Sequence, residues 1–569
     1  MVRAIFRRSL FCLAILLGGC ASIQPVPFPL HQDASLPAQT ALARSETYHA
    51  YLLAQQHLRV NQVDEAIDAY KRALAKDPDS VFLLTELATL YVRQGKIEEA
   101  LELSERATRV DPSHQPAYLL LGRLYAGLGR NAQAIAAYEK VLRQDPDNHE
   151  VYLLLGTLYA QERQFEKSLE TLDRLQQLLP GNPVALYYKA RVFLDMKAYR
   201  QAERTYREVL EMDDRFVDAL LDLSYIYEVT SRLKTAESTY MRILSFDPEN
   251  VQALTRLGNL YMRQDRYGEA IERFTRISKI NRQDLESRLK IGIIYLHQGD
   301  YEQAIKEFTQ LLKDQPQYDQ ALYYLGSTYE EKGDSEQAIL NFRLISPRSS
   351  LWSTVQVRLA LIFARMEDHE SSVAVLEQAI EKRPDIPDFY MYLGVIYEEQ
   401  GKYEESLAAF QEGLEATPQS EDLLFRKGIV LDKMDRQEEA IEAMMEILEI
   451  EPRSANALNY IGYTYAEQGV RLHEALEMIQ TALELEPDDG YIMDSLAWVY
   501  HKMGRHEKAL EAILEALRLA DEDPVIYEHL GDIYAAMGKR KEAVKAYRKA
   551  LELEPEDPEK IQEKLRLLE

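Results

Sequence analysis

Residues 117–150 read AYLLLGRLYAGLGRNAQAIAAYEKVLRQDPDNHE, and the following thirty-four residues start the same pattern again. Gly122 stands where Gly156 stands one period later, Ala134 where Ser168 stands and Tyr125 where Tyr159 stands. Followed outward in both directions, the first small position runs Ala54, Ala88, Gly122, Gly156, Ala190, Ser224, Gly258, Gly292, Gly326, Ala360, Gly394, Gly428, Gly462, Ala497 and Gly531. A second small column follows twelve residues later, from Ala66 and Ala100 to Ala509 and Ala543, and a third, three residues after the first, is mostly tyrosine. Two helices approach closely only where both present small side chains, so the two small columns mark a crossing and each unit is one helical hairpin. The tyrosine stripe reads as core between helices. Proline, as in Asp77-Pro78, Asp111-Pro112, Asp145-Pro146, Asp247-Pro248, Glu451-Pro452 and Glu486-Pro487, ends most units because a helix does not readily run through it.

Fifteen coincident columns between Thr47 and Asp557, at a period of 34, resemble the tetratricopeptide repeat family. The resemblance implies an all-α chain, a right-handed α-solenoid of about fifteen helical hairpins with a C-terminal capping helix over residues 558–569. Asp557-Pro558 supplies an N-cap and an N1 proline, and Ile561, Leu565 and Leu568 give the apolar stripe that would cover the last hairpin. Four units depart from the pattern, with Asp214, Arg282, Ser350 and Asp521 in place of the closing proline. In Ser346-Pro347-Arg348-Ser349-Ser350 a proline comes early, which predicts a bend or altered stacking near residue 347 and two arms, 47–349 and 350–557. One residue is inserted in the turn between Gln468 and Leu472, where insertion is tolerated.

At the other end, Arg3, Arg7 and Arg8 precede an apolar run from Leu10 to Leu17, then Gly18, Gly19 and Cys20. Residues 1–19 read as a secretory signal peptide. Leu17-Gly18-Gly19-Cys20 resembles the bacterial lipobox, which implies lipid attachment at Cys20. Ala21 and Ser22, rather than Asp, follow it; by that resemblance the expected place is the outer membrane, on its periplasmic face. The Arg7-Arg8 pair loosely matches a twin-arginine signal, but the general secretory route is preferred. Cys12, the only other cysteine, lies in the part expected to be removed. Residues 20–46, with Pro25, Pro27, Pro29 and Pro37, read as an extended tether.

The formal charge is −27, and removal of residues 1–19, which hold three Arg and no acid, takes it to −30. Nucleic acid and anionic lipid require a basic footprint and are not expected as ligands. No phosphate-binding loop, nucleophile elbow or His-Glu-x-x-His occurs, so neither catalysis nor a cofactor, metal or small-molecule substrate is expected. His501 and His506, five apart, and His473 beside Glu474 read as surface rather than as metal ligands.

Partners are then proteins or peptides, with the membrane reached through the lipid anchor. By the family resemblance, the first helix of each hairpin lines a ligand groove. Three residues before the first small column this places Leu119, Leu153, Tyr187, Leu221, Leu289, Tyr323, Val357, Met391 and Phe425, an apolar strip able to take an extended or helical segment, unless its members pack against adjacent hairpins. In the last three units the same face turns polar, with Asn456, Asn459, Asp494, Ser495, Trp498, Glu528, His529 and Asp532. An exposed tryptophan in an acidic setting would suit a specific contact; the alternative is a solvated acidic face with Trp498 buried. The carboxylate clamp of some relatives is not reproduced, since only Asn259 stands at its usual Asn position.

Asn459-Tyr460-Ile461-Gly462-Tyr463, the segment Glu486 to Leu496, and Glu528-His529-Leu530-Gly531-Asp532 look like a subgroup of Gram-negative outer-membrane lipoproteins with these repeats. Some members of that group recruit a periplasmic processing protease to cell-wall hydrolases. The expected function is therefore a membrane-anchored adaptor. A scaffold in an envelope machine, for exopolysaccharide secretion or type IV pili, and a peptidoglycan-binding protein are the alternatives.

Overall fold

The computed structural model describes residues 38–520 and 522–568. The expected signal peptide, Cys20 and the tether before residue 38 lie outside the described residues. Among them are thirty-one helices in tandem, from Ala38–Arg59 to Pro558–Leu568. The first thirty form fifteen hairpins, and the last is the expected cap. The tether was expected to run to residue 46, yet the first helix already starts at Ala38. Pro37 is the last residue that resists helix, and the alanine-rich run after it favours one.

The two small columns do cross. Ser168 Oγ donates to Gly156 O at 2.6 Å and Ser372 Oγ to Ala360 O at 2.7 Å, each joining one column to the other within a hairpin. What fills the space over the first column is a large side chain sixteen residues on, in the second helix. Tyr138, Phe274, Phe308, Phe342 and Phe410 are fully buried there. A methyl group added at Gly258 would come within 2.8 Å of the Phe274 ring. The tyrosines of the third column sit less deep, and their rings carry cations from the turn: Arg232 over Tyr227 at 4.6 Å, Arg266 over Tyr261 at 4.2 Å.

Every hairpin turns the same way. The residue seven after the first small position is left-handed in all fifteen, for example Gly95 (φ 74), Arg163 (φ 57) and Glu367 (φ 61). In hairpin 2 Gly95 N donates to Val92 O and Lys96 N to Tyr91 O, at 3.0 and 2.9 Å. That pair of bonds satisfies two carbonyls at the helix end and reverses the chain in a few residues. Between hairpins the chain leaves by an extended residue, such as Asp111, and the next helix often starts on a side-chain cap, such as Asn148 Oδ1 accepting from Val151 N.

The chain divides into two compact units between Ser287 and Arg288, inside the helix Leu285–His297, rather than at the arm boundary expected at 349. At that irregular place the second helix of hairpin 9, Ser335–Arg343, is nine residues long where the second helix of hairpin 10 has fourteen. The early proline cuts it short, but Ile345 turns inward and packs with Phe342, Val355 and Leu359 in one core. A loop residue thus replaces the missing helical turn.

Candidate functional site

Two groups of residues were candidates, and burial separates them from the expectation in the same way. Of the apolar strip, Tyr187, Leu221, Leu289 and Val357 are buried, and Leu119, Leu153, Tyr323, Met391 and Phe425 are half-buried against core residues of their own or neighbouring hairpins. The strip is therefore not an open apolar surface. A side chain one turn before the small position points under the first helix of the next hairpin: the Tyr187 ring lies 5.0 Å from that of Phe216, and its hydroxyl donates to Asp222.

The polar group belongs to hairpins 13 to 15, whose first helices are Ala455–Gln468, Gly490–Lys502 and Pro524–Ala536. Here Trp498 is not exposed; 6 % of it is accessible. The indole lies between two imidazoles, 4.1 Å from the ring of His529 and 5.0 Å from that of His501, nearly parallel to both. Its Nε1 donates to Glu467 Oε2 and Lys502 Nζ sits 4.8 Å over the ring. The expected exposed anchor is thus corrected to a structural one: residues one repeat before and after enclose it.

His529 and Asp494 form the centre of the group. Both are buried, and His529 Nδ1 lies 2.9 and 3.0 Å from the two Asp494 oxygens. Burial alone would lower the imidazole pKa, but the Asp494 carboxylate and its hydrogen bond outweigh that, and the net direction is up. On the other side of the indole, burial lowers the His501 pKa. Two similar rings are thus pushed apart: a carboxylate hydrogen-bonded to His529 outweighs burial, whereas the more remote charge of Asp532 does not outweigh it at His501. Ser495 is buried and donates to Tyr491 O.

Glu528 and Asp532, expected to meet a partner, are occupied by the chain itself. Lys564 Nζ, from the capping helix Pro558–Leu568, reaches both at 2.6 Å, and Tyr547 Oη donates to the other Asp532 oxygen. Burial opposes the Lys564 charge, yet these two carboxylates hold its pKa above the ordinary value. The cap therefore seals the last hairpin by charge as well as by Ile561, which is fully buried.

Asn459 is half-buried, and its Oδ1 has no hydrogen-bond partner; Asn456 alone of the eight is exposed. One repeat and two repeats on, in the first turn of each first helix, stand Tyr491 and Val525, 56 % and 47 % exposed. Asn456, Tyr491 and Val525 form a row that is exposed at the start of the first helices of these hairpins. The sequence carried a signal for it, since all three stand six residues before the small column. Among the described residues no group of three or more His, Cys, Asp or Glu could hold a metal ion, and no helix is long and apolar enough to cross a membrane.

Repeated helical hairpins with small-residue crossings, a sealed end and side chains that bridge several successive first helices define a solenoid-type protein-binding repeat. Models described as tetratricopeptide repeat match residues 57–126, 93–136, 119–183, 187–250, 239–272, 289–346, 357–421, 421–454 and 472–553. The chain belongs to the tetratricopeptide repeat family. None of the curated proteins compared with it matches. Among solved structures it is similar to a tetratricopeptide repeat protein from Parabacteroides merdae, with 19 % identity and a TM-score of 0.36 over 43 % of this chain and 97 % of that one. MamA protein is similar at 22 % identity and a TM-score of 0.29, over 30 % of this chain and 94 % of that one.

Proposed function

We propose that this protein is a lipid-anchored adaptor on the periplasmic face of the outer membrane, gathering proteins along its hairpins and recruiting a processing protease to cell-wall hydrolases. The observation that carries this reading is a body built wholly of protein-binding repeats behind an N-terminus that resembles a lipobox. Cys20 is the anchor. The body works by binding and not by catalysis, and the exposed row Asn456, Tyr491 and Val525 is the contact surface in the C-terminal hairpins. This row replaces the buried Trp498 as the partner-binding candidate. It mixes an aromatic ring, an amide and an aliphatic side chain within reach of solvent, a composition suited to a protein contact.

Two measurements test it. Labelled palmitate should enter the wild-type chain and not Cys20→Ala. Crosslinked envelopes should then yield a protease and a hydrolase with the wild-type chain and lose them when Asn456, Tyr491 and Val525 are all changed to Ala. Recovery of export-channel components would move the function to an envelope machine, and release or binding of wall fragments by the purified chain alone would make the adaptor reading wrong.

A further inference from the structure

The outer stripe of each second helix is set by positions ten and fourteen residues after the first small column. In hairpins 1 and 2 these are exposed acids, Asp64 and Asp68, then Glu98 and Glu102. The sign varies along the array, with Ala132 and Ala136 in hairpin 3 and Arg200 and Arg204 in hairpin 5, and hairpin 14 is acidic again with Glu507 and Glu511, both exposed, followed by Leu514, 49 % exposed. Hairpin 15 reverses it, with Lys541, Lys545 and Arg548 at the matching positions. One turn further on the reversal runs the other way, from Arg518 to Glu552. Two successive second helices, His506–Leu519 and Arg540–Glu552, thus carry stripes of opposite charge in the same register.

We infer that this pair of stripes is a self-association surface whose partner is a second copy of the chain. A half-turn about an axis lying between the two helices and parallel to them brings Glu507 and Glu511 of one copy opposite Lys541 and Lys545 of the other. Symmetry makes the same contacts a second time. Leu514 then lies against the aliphatic stem of Arg548 from the other copy, an apolar centre inside a charged rim. Among the described residues no ion pair of the chain itself holds Glu507, Glu511, Lys541 or Lys545, whereas Arg518 is held by Glu515 and Lys549 by Glu522. An anionic membrane would meet the two glutamates beside the lysines, and only a partner carrying both signs in the same register satisfies both stripes. Such pairs set register and specificity more than strength, so the dimer is weak and sensitive to salt.

The full-length chain, purified in detergent, is examined by sedimentation over a concentration series at low and high salt. The expected result is a shift from the mass of one chain to that of two as concentration rises, abolished by high salt. Lys541→Glu with Lys545→Glu should weaken the dimer about 100-fold or more, as should Glu507→Lys with Glu511→Lys, because each leaves two stripes of like charge. Mixed one to one, the two variants should form the dimer again. That rescue cannot come from misfolding. A monomer at all concentrations, a dimer indifferent to either variant, or failure of the mixture to associate overturns the proposal. Binding of the wild-type chain to phosphatidylglycerol vesicles without self-association overturns it as well.

Discussion

Hairpins 5 and 6 and hairpins 13 to 15 both bury an aspartate on the first-helix face, and they satisfy it by different chemistry. Asp222, 8 % exposed, accepts from the hydroxyls of Tyr206 at 3.0 Å and Tyr187 at 3.3 Å. Burial, followed by the Asp222 charge, pushes both tyrosines up, so they stay neutral and donate. Asp494, 6 % exposed, instead faces the imidazole of His529. One repeat architecture therefore tolerates a buried carboxylate in either setting, but only the second ties the packing of two hairpins to an imidazole whose pKa that carboxylate raises.

The sharpest way to break this comparison is to remove each carboxylate. Asp494→Ala leaves a buried imidazole without its partner and should destabilise hairpins 14 and 15 by about 3–5 kcal/mol. Asp222→Ala leaves two neutral hydroxyls without their acceptor and removes a charge that favours the neighbouring Arg191 cation, for which about 1–3 kcal/mol is expected. Because repeats are coupled mainly to their neighbours, local hydrogen exchange is the measurement, and the loss should stay near each site. Equal losses at the two sites would show that the ion pair adds nothing over the hydroxyl pair.

Acidity separates the sites next. The folded His529 has a raised pKa because Asp494 outweighs the opposing effect of burial. The stability it adds is fully present below the unfolded value of about 6.5 and is lost as pH climbs through the raised folded value. Hydrogen exchange in Pro524–Ala536 should therefore quicken as pH rises through that window, after correction for the intrinsic rate. His529→Gln should abolish the dependence, and the Asp222 site should show none. Fluorescence of Trp498, stacked on His529, gives a second readout once Trp352, the other tryptophan, is changed to Phe.

The smallest effect concerns the turns that both regions share. Arg163→Gly and Glu367→Gly each place glycine at a left-handed residue, one in each compact unit. Each should stabilise by about 0.5–1 kcal/mol in thermal unfolding, relief of backbone strain exceeding the added chain entropy. A loss at either would mean that the side chain there does more than tolerate the turn.

Much of the fold was legible because its signals are local. Small residues twelve apart fix where two helices of a hairpin cross, and Asp557-Pro558 with Ile561 announces a helix that must cover the last face. The candidate site was less legible. Trp498, Asp494 and His529 stood in a polar stretch, and what buries them comes from 31 to 35 residues away: Glu467 for Trp498, Asp494 for His529. A polar side chain on a helix face gives no sign of whether its neighbour in the next hairpin will satisfy it. Glu528 and Asp532 look open in the sequence for the same reason, since Lys564 reaches them only when the cap is docked.

The sequence by itself determined the repeat, the hairpin and the closing helix, because steric columns and helix stops act within about one period of chain. Only the tertiary structure decided which polar residues remain available to a partner. That outcome depends on side chains meeting across successive hairpins, where one residue of register or one long lysine exchanges a solvated acid for a buried pair.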